Sequence, residues 1–191
     1  MNYIEAIRQF TPSDEQELND QKVILKFIEE NPSNVLTREN EVAHLTSSGL
    51  VLNGSLDKVL MVHHNIYNTW AWTGGHADGD EDMLEVAVRE AIEETGVQAI
   101  TPLFEEIASV DIIPVYGHVK RGRFVSSHLH MNVSYVLIAD ENEDTQIKHD
   151  ENSGVMWVSV DDLAHYSGEP YLVAIYEKII AHARAYKRQN S

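Results

Sequence analysis

With 191 residues and a formal net charge of −17, the chain can bury one core, but it is too acidic for a general binder of nucleic acid or anionic membrane, which needs a basic surface. Its 43% hydrophobic and 24% charged residues are ordinary for a globular protein. There is no cysteine, which excludes a disulfide framework, a thiolate metal site and a cysteine nucleophile. No basic-then-apolar leader opens the chain and no apolar stretch approaches the length of a membrane span, so cytoplasmic is the default localisation.

Residues 2–31 read as helical. Ile4, Ile7 and Phe10 form a short stripe. A second run then starts at Thr11 or Ser13 as N-cap, with Leu18, Val23, Leu25, Phe27 and Ile28 as a partly apolar face. "NPSN" at 31–34 breaks it. From Val42 the period changes to that of strands: "HLTSSGLVLN" and "KVLMVHH", joined by a turn containing Asn53-Gly54. Tyr67, Trp70 and Trp72 follow, as core residues or as a stacking surface for a base or sugar.

Next comes "GHADGDEDMLEVAVREAIEETGV" at 75–97. Leu84, Ala87, Val88, Ala91 and Ile92 recur at helical spacing, Asp78 with Glu81 or Asp80 alone suits the start, and Gly96 suits a left-handed end. Glu90, Glu93 and Glu94 share one flank with only Arg89 near enough in sequence to offset them. A hard divalent cation such as Mg²⁺ would turn that repulsion into a site, since it prefers oxygen ligands. A solvated acidic face is the other reading, and spacing alone leaves both open. An EF-hand loop is rejected, because Met83 and Arg89 stand where its glycine and closing glutamate belong.

Further strand-like runs are "FEEIASVDIIPV", "RFVSSHLHMNVSYVLIAD" and "GVMWVSV", and "EPYLVAIYEKIIAHARAYKR" closes the chain as a helix with basic residues in its final turns. Strands with a few helices predict an α/β domain around a mixed sheet. Residues 112–139 hold no acid in a chain with 31, yet contain Lys120, Arg121 and Arg123, a candidate grip for substrate phosphates or else a solvated hairpin. Ser126, His128, His130, Asn132 and Ser134 alternate with apolar residues and predict a strand with one polar face lining a cleft. His128 and His130 have the spacing of zinc ligands, but a histidine pair on one strand face more commonly serves as a hydrogen-bonding lining.

The 75–97 segment resembles the Nudix box, G-x5-E-x7-R-E-U-x-E-E-x-G-U with U a bulky apolar residue. Gly75, Glu81, Arg89, Glu90, Glu93, Glu94, Gly96 and Val97 fall on its fixed positions, and Ala91 is small for its slot. Weaker similarity runs from Arg38 to Leu163, with Thr73 standing where many relatives carry proline. The resemblance implies a Nudix-type α/β/α sandwich spanning residues 37–191, with 1–36 as a helical addition packed on it. It implies hydrolysis of a pyrophosphate bond in a nucleoside-diphosphate-linked compound with Mg²⁺ or Mn²⁺. By the same match Glu90, Glu93, Glu94 and the Gly75 carbonyl would hold the metal, and Arg89 would orient the glutamates. Glu81 would support Arg89 or the helix start. The general base would be Glu90 or a late-loop acid, Glu151 before Asp150.

A small-molecule substrate, no nucleic acid or membrane partner, and a homodimer as an admissible assembly complete the reading. Its rival is a Nudix-fold nucleotide-binding or regulatory protein without catalysis, against which the intact glutamate set argues. A fold-sharing isomerase that relies on cysteine is excluded.

Overall fold

Why β1 sits at the centre follows from its burial on both faces. The computed structural model describes residues 2–66, 68–120 and 122–190, so the expectations for Tyr67 and Arg121 lie outside the described residues. The elements in order are α1 (Tyr3–Gln9), α2 (Glu15–Glu30), β1 (Ala43–Leu52), β2 (Lys58–His64), β3 (Thr69–Ala71), β4 (Thr73–His76), α3 (Met83–Thr95) and β5 (Thr101–Pro102). They continue with β6 (Ser109–Val115), β7 (His118–Lys120), β8 (Arg123–Val125), β9 (His128–Ile138), β10 (Asn152–Ser159), α4 (Leu163–Tyr166) and α5 (Pro170–Gln189). The main sheet runs β10–β2–β1–β9–β5, with β3 added to β2, β4 to β1 and β6 to β9. Among the described residues only the β1–β9 pairing is parallel, and it aligns Ala43 with Leu129 through to Leu52 with Ile138. β7 and β8 form a separate hairpin.

This is the expected α/β/α sandwich around a mixed sheet. On one face Leu45, Val51, Val133 and Leu137 pack with Ile7, Ile24 and Ile28 of α1 and α2 and with Ala87 and Ala91 of α3. On the other face Leu50, Leu52, Met61 and Val136 pack with Leu172, Tyr176, Ile179 and Ala183 of α5. Strand alternation sends successive residues to these opposite faces. On the α5 face β1 reads His44, Thr46, Ser48, Leu50, Leu52, so its first half is polar and its second half apolar. β9 matches it with His130, Asn132, Ser134 and Val136. Thr46 Oγ1 and Ser48 Oγ both donate to Asn132 Oδ1 at 2.9 Å, and Asn132 Nδ2 donates to Ser134 Oγ. The polar face of β9 is therefore an interior network over Asn132 and Ser134, where an open cleft was expected.

Several local expectations are corrected. Asp14, not Ser13 or Thr11, caps α2, accepting from the Glu17 amide, while Glu17 accepts from the backbone and hydroxyl of Ser13. The buried face of α2 is Glu17, Gln21, Ile24 and Ile28, and Leu18 and Val23 are exposed. That face is half polar because it meets charges. Lys178 of α5 pairs with Glu17 at 2.9 Å and Asp14 at 3.3 Å, and it approaches Asp111 of β6 at 3.7 Å. The run at 123–139 is broken into β8 and β9 at Ser126-Ser127. At the Asn53-Gly54 turn the left-handed residue is Leu56, and the Asn53 side chain closes the loop by accepting from the amides of Asp57 and Lys58. Trp72 is buried against Tyr176, and Trp70 lies half-buried beside His63. No helix among the described residues is long and apolar enough to cross a membrane.

Candidate active site

The acidic helix α3 starts one turn later than its sequence suggests. Asp82 is its N-cap, with its side chain accepting from the Glu85 amide at 3.0 Å. Asp80 accepts from the Asp82 amide and from Arg89 Nη1 at 3.1 Å, while Asp78 pairs with Arg38. Arg89 therefore hydrogen-bonds to Asp80, while Glu90 and Glu93 act on it through their charge. Met83, Val86, Ala87 and Ala91 form the buried face, and Leu84, Val88 and Ile92 pack at its margin. Ser47 of β1 donates to the Met83 carbonyl at 2.5 Å, which locks the first turn against the sheet. At the other end Gly96 is left-handed, as expected, with φ 77°.

Two glycines of β4 meet two glutamates of α3. The Gly74 amide donates to Glu94 Oε2 at 3.0 Å, and a Cβ on Gly74 would meet the Ser48 hydroxyl and Ser47 carbonyl at 2.6 and 2.9 Å. Gly75 abuts the Glu90 side chain, so a Cβ there would fall 2.5 Å from Oε1 and 2.7 Å from Cγ. Thr73, in place of the family's proline, is fully buried and donates from Oγ1 to the Gly49 carbonyl.

The late loop docks on the C-terminal end of α3. Gln146 donates its amide to the Thr95 carbonyl at 2.7 Å, and Asn152 Nδ2 donates to the Glu94 carbonyl at 2.8 Å, satisfying carbonyls that a helix end leaves unpaired. This brings Lys148 Nζ to 2.9 Å from Glu93 and 3.1 Å from Glu151. Glu93 and Glu151 thereby share one ammonium, whose charge also acts on Glu90 and Glu94. Glu94 is only 5% exposed, and burial pushes its carboxyl up to about 8, with the Gly74 bond opposing and the Glu90 and Glu151 charges adding. Burial and the Glu93 charge also raise Glu90. Burial works against the charge on Lys148, but its bonds to Glu93 and Glu151 outweigh that and raise its pKa.

Lys120 and Arg123 face one another across the β7–β8 hairpin, Lys120 half-buried and Arg123 exposed. His128 and His130 lie at the start of β9, beside His44 of β1 and His76 of β4. Asp150 is exposed. Sequence reasoning missed Lys148, although it is the one lysine or arginine in the acidic loop at 140–153. It also missed the Gly74 amide, Arg38 and His44.

A family model for the NUDIX domain matches residues 42–182. The chain belongs to the NUDIX domain family. The match takes in most of α5 and leaves α1 and α2 outside it. A curated relative, nucleoside diphosphate-linked moiety X motif 6 of Xenopus laevis, is 27% identical over 140 residues, which cover 70% of this chain and 58% of that protein. The chain thus matches somewhat over half the length of that relative. Among solved NUDIX structures, the C. elegans Ap4A hydrolase in a binary complex has 16% identity and a TM-score of 0.55, over 74% of this chain and 98% of that one. A NUDIX family hydrolase from Clostridium perfringens has 20% identity and a TM-score of 0.53, over 72% and 96%. At these identities the two structures speak to the NUDIX fold.

Proposed function

We propose that this NUDIX protein hydrolyses a phosphoanhydride bond in a nucleoside-diphosphate-linked or related organic pyrophosphate with a divalent cation, Mg²⁺ or Mn²⁺. The observation that carries the reading is the sharing of Lys148 by Glu93 and Glu151, its charge acting also on Glu90 and Glu94, with Glu94 buried and Glu90 against a glycine.

The donor set fits a hard cation. Every side-chain donor is a carboxylate oxygen, and the Lys148 ammonium already lies between two of them. Glu90, Glu93, Glu94 and the Gly75 carbonyl would hold the ion. When bound, it would neutralise pyrophosphate charge and lower the pKa of a bound water. Gly74 fixes Glu94 Oε2 by its amide, which would leave Oε1 to hold the ion. Burial holds a proton on Glu94 in the metal-free chain, and a divalent charge alongside would release it. Glu151 is the proposed base, positioned by Lys148, with Glu90 as the other candidate. Arg89 acts indirectly by tying Asp80 to the helix. Lys120, Arg121 and Arg123 are proposed to attract substrate phosphates, with His128 and His130 beside them.

A panel of nucleotides, nucleotide sugars and dinucleotides incubated with Mg²⁺ and read for phosphate-containing products tests this. Turnover of one class, lost in Glu94→Gln and retained in Glu85→Gln, is the expected result. A flat panel would instead favour a nucleotide-binding or regulatory protein.

A further inference from the structure

We propose that His44, His76, His128 and His130 form a second metal site, for a borderline transition-metal ion such as Zn²⁺, separate from the glutamate cluster. Each offers one ring nitrogen, and these four nitrogens all lie within 4.8 Å of one another. The rings come from three strands. β1 aligns His44 with His130 of β9 in parallel register, and β4 brings His76 opposite Thr46. In five of the six ring pairs the centroids are 5.0–5.3 Å apart.

Hydrogen bonding prepares the rings for ligation. His44 Nδ1 lies 3.0 Å from the Asn40 carbonyl and His128 Nδ1 lies 2.8 Å from the Ser126 carbonyl. A carbonyl only accepts, so each ring carries its proton on Nδ1 and presents a lone pair on Nε2. Metal-ligating histidines are oriented this way. Two ring nitrogens of the group, His44 Nε2 and His130 Nε2, are buried without a hydrogen-bond partner among the described residues. Buried polar atoms are almost always partnered, and a bound cation would supply what these lack. His44 itself is 4% exposed.

The chemistry selects the ion. The four donors are imidazole nitrogens with no carboxylate among them. Mg²⁺ and Ca²⁺ prefer oxygen, whereas imidazole suits zinc and its neighbours. A zinc–nitrogen bond of about 2.0–2.1 Å implies tetrahedral nitrogens about 3.4 Å apart. Ring rotation would have to bring the nitrogens, which lie within 4.8 Å of one another, to that spacing. Four protein ligands leave no open position, so the ion is structural. It would tie β4 to β1 and β9, and His128 and His130 would then hold metal in place of touching substrate. His76 and Gly75 are consecutive in β4 and face opposite sides, so the ion would brace Gly75 from behind.

The test uses the whole chain, stripped with chelator and then dialysed against Zn²⁺ alone and against Zn²⁺ with excess Mg²⁺. One zinc per chain, retained under Mg²⁺, is expected, and Co²⁺ in its place should give the visible spectrum of a tetrahedral ion. His44→Ala/His130→Ala and, at a less buried position, His128→Gln with an unchanged circular dichroism spectrum should each weaken zinc binding by at least about tenfold. Glu93→Gln/Glu94→Gln should keep it. No retained zinc in the wild type, equal retention in His128→Gln, or loss in the glutamate variant would overturn the site.

Discussion

Gly75 and Glu90 touch across the gap between β4 and α3, so closely that a single methyl at position 75 would overlap the Glu90 carboxyl. The glycine is therefore a distance setting for a proposed ligand. Gly75→Ala should push Glu90 aside by an ångström or so and lower kcat by about 10²-fold, the scale of such a misplacement. The melting temperature should move little. An alanine variant with full activity would show that Glu90 does not work from this position.

Glu94 makes stability depend on pH with an unusual sign. Its carboxyl titrates near 8 when folded against an ordinary 4.5, so between those values the folded chain holds a proton that the unfolded chain has lost. Stability without metal should then fall as pH rises from about 4.5 to about 8, and Glu90 adds a contribution of the same sign. Urea titrations in chelator across that range should show the decline, with a shallower slope in Glu94→Gln and with Mg²⁺ added.

Lys148 neutralises Glu93 and Glu151 in the metal-free chain. Removing it as Lys148→Met leaves that repulsion to the cation alone. The rise in melting temperature on adding Mg²⁺ should be larger in this variant than in the wild type. An equal or smaller rise would mean that Lys148 and the cation do not share a site.

Residues 75–97 announced both the helix and its glutamates because the motif is local and its spacing is fixed. What stayed hidden depends on partners distant in sequence. The hydrophobic period of α3 is broad enough to allow the cap at Asp82, and only tertiary contact with Ser47 and Arg38 decides among the four acids. For α2, Leu18 and Val23 point outward because Glu17 and Gln21 have buried partners in α5 and α1. The histidine group was half visible: "SSHLH" shows two members, but His44 and His76 join it only through strand register.

The β7–β8 hairpin carries a kinetic prediction. Contacts made equally in ground and transition states change KM and spare kcat. Lys120→Ser/Arg123→Ser should raise KM strongly, with kcat falling far less than in Glu94→Gln, and wild-type KM should rise with salt as these charges are screened. An unchanged KM would leave the hairpin as a solvated turn.

Lys178 holds α2 to the body of the protein. Its ammonium serves Glu17 and Asp111, both buried, so Lys178→Met strands two carboxylates in the interior. A loss of about 3 kcal/mol or more is expected from chemical denaturation. A variant as stable as the wild type would mean that α2 is held by apolar contacts alone.

The parallel seam between β1 and β9 has a consequence for how the chain comes into being. Thr46 and Asn132, which meet there, are 86 residues apart, and such non-local pairings form slowly because a long loop must close before any contact rewards it. A nascent chain that has reached the β7–β8 hairpin already carries every acid of α3 and both glycines of β4, yet β1 has no β9 beside it. Its bare edge is then open to pairing with other chains. The proposed metal-binding carboxylates of α3 are thus synthesised early and become an arrangement late, once the strand at 128–138 and the Lys148 loop have emerged behind them.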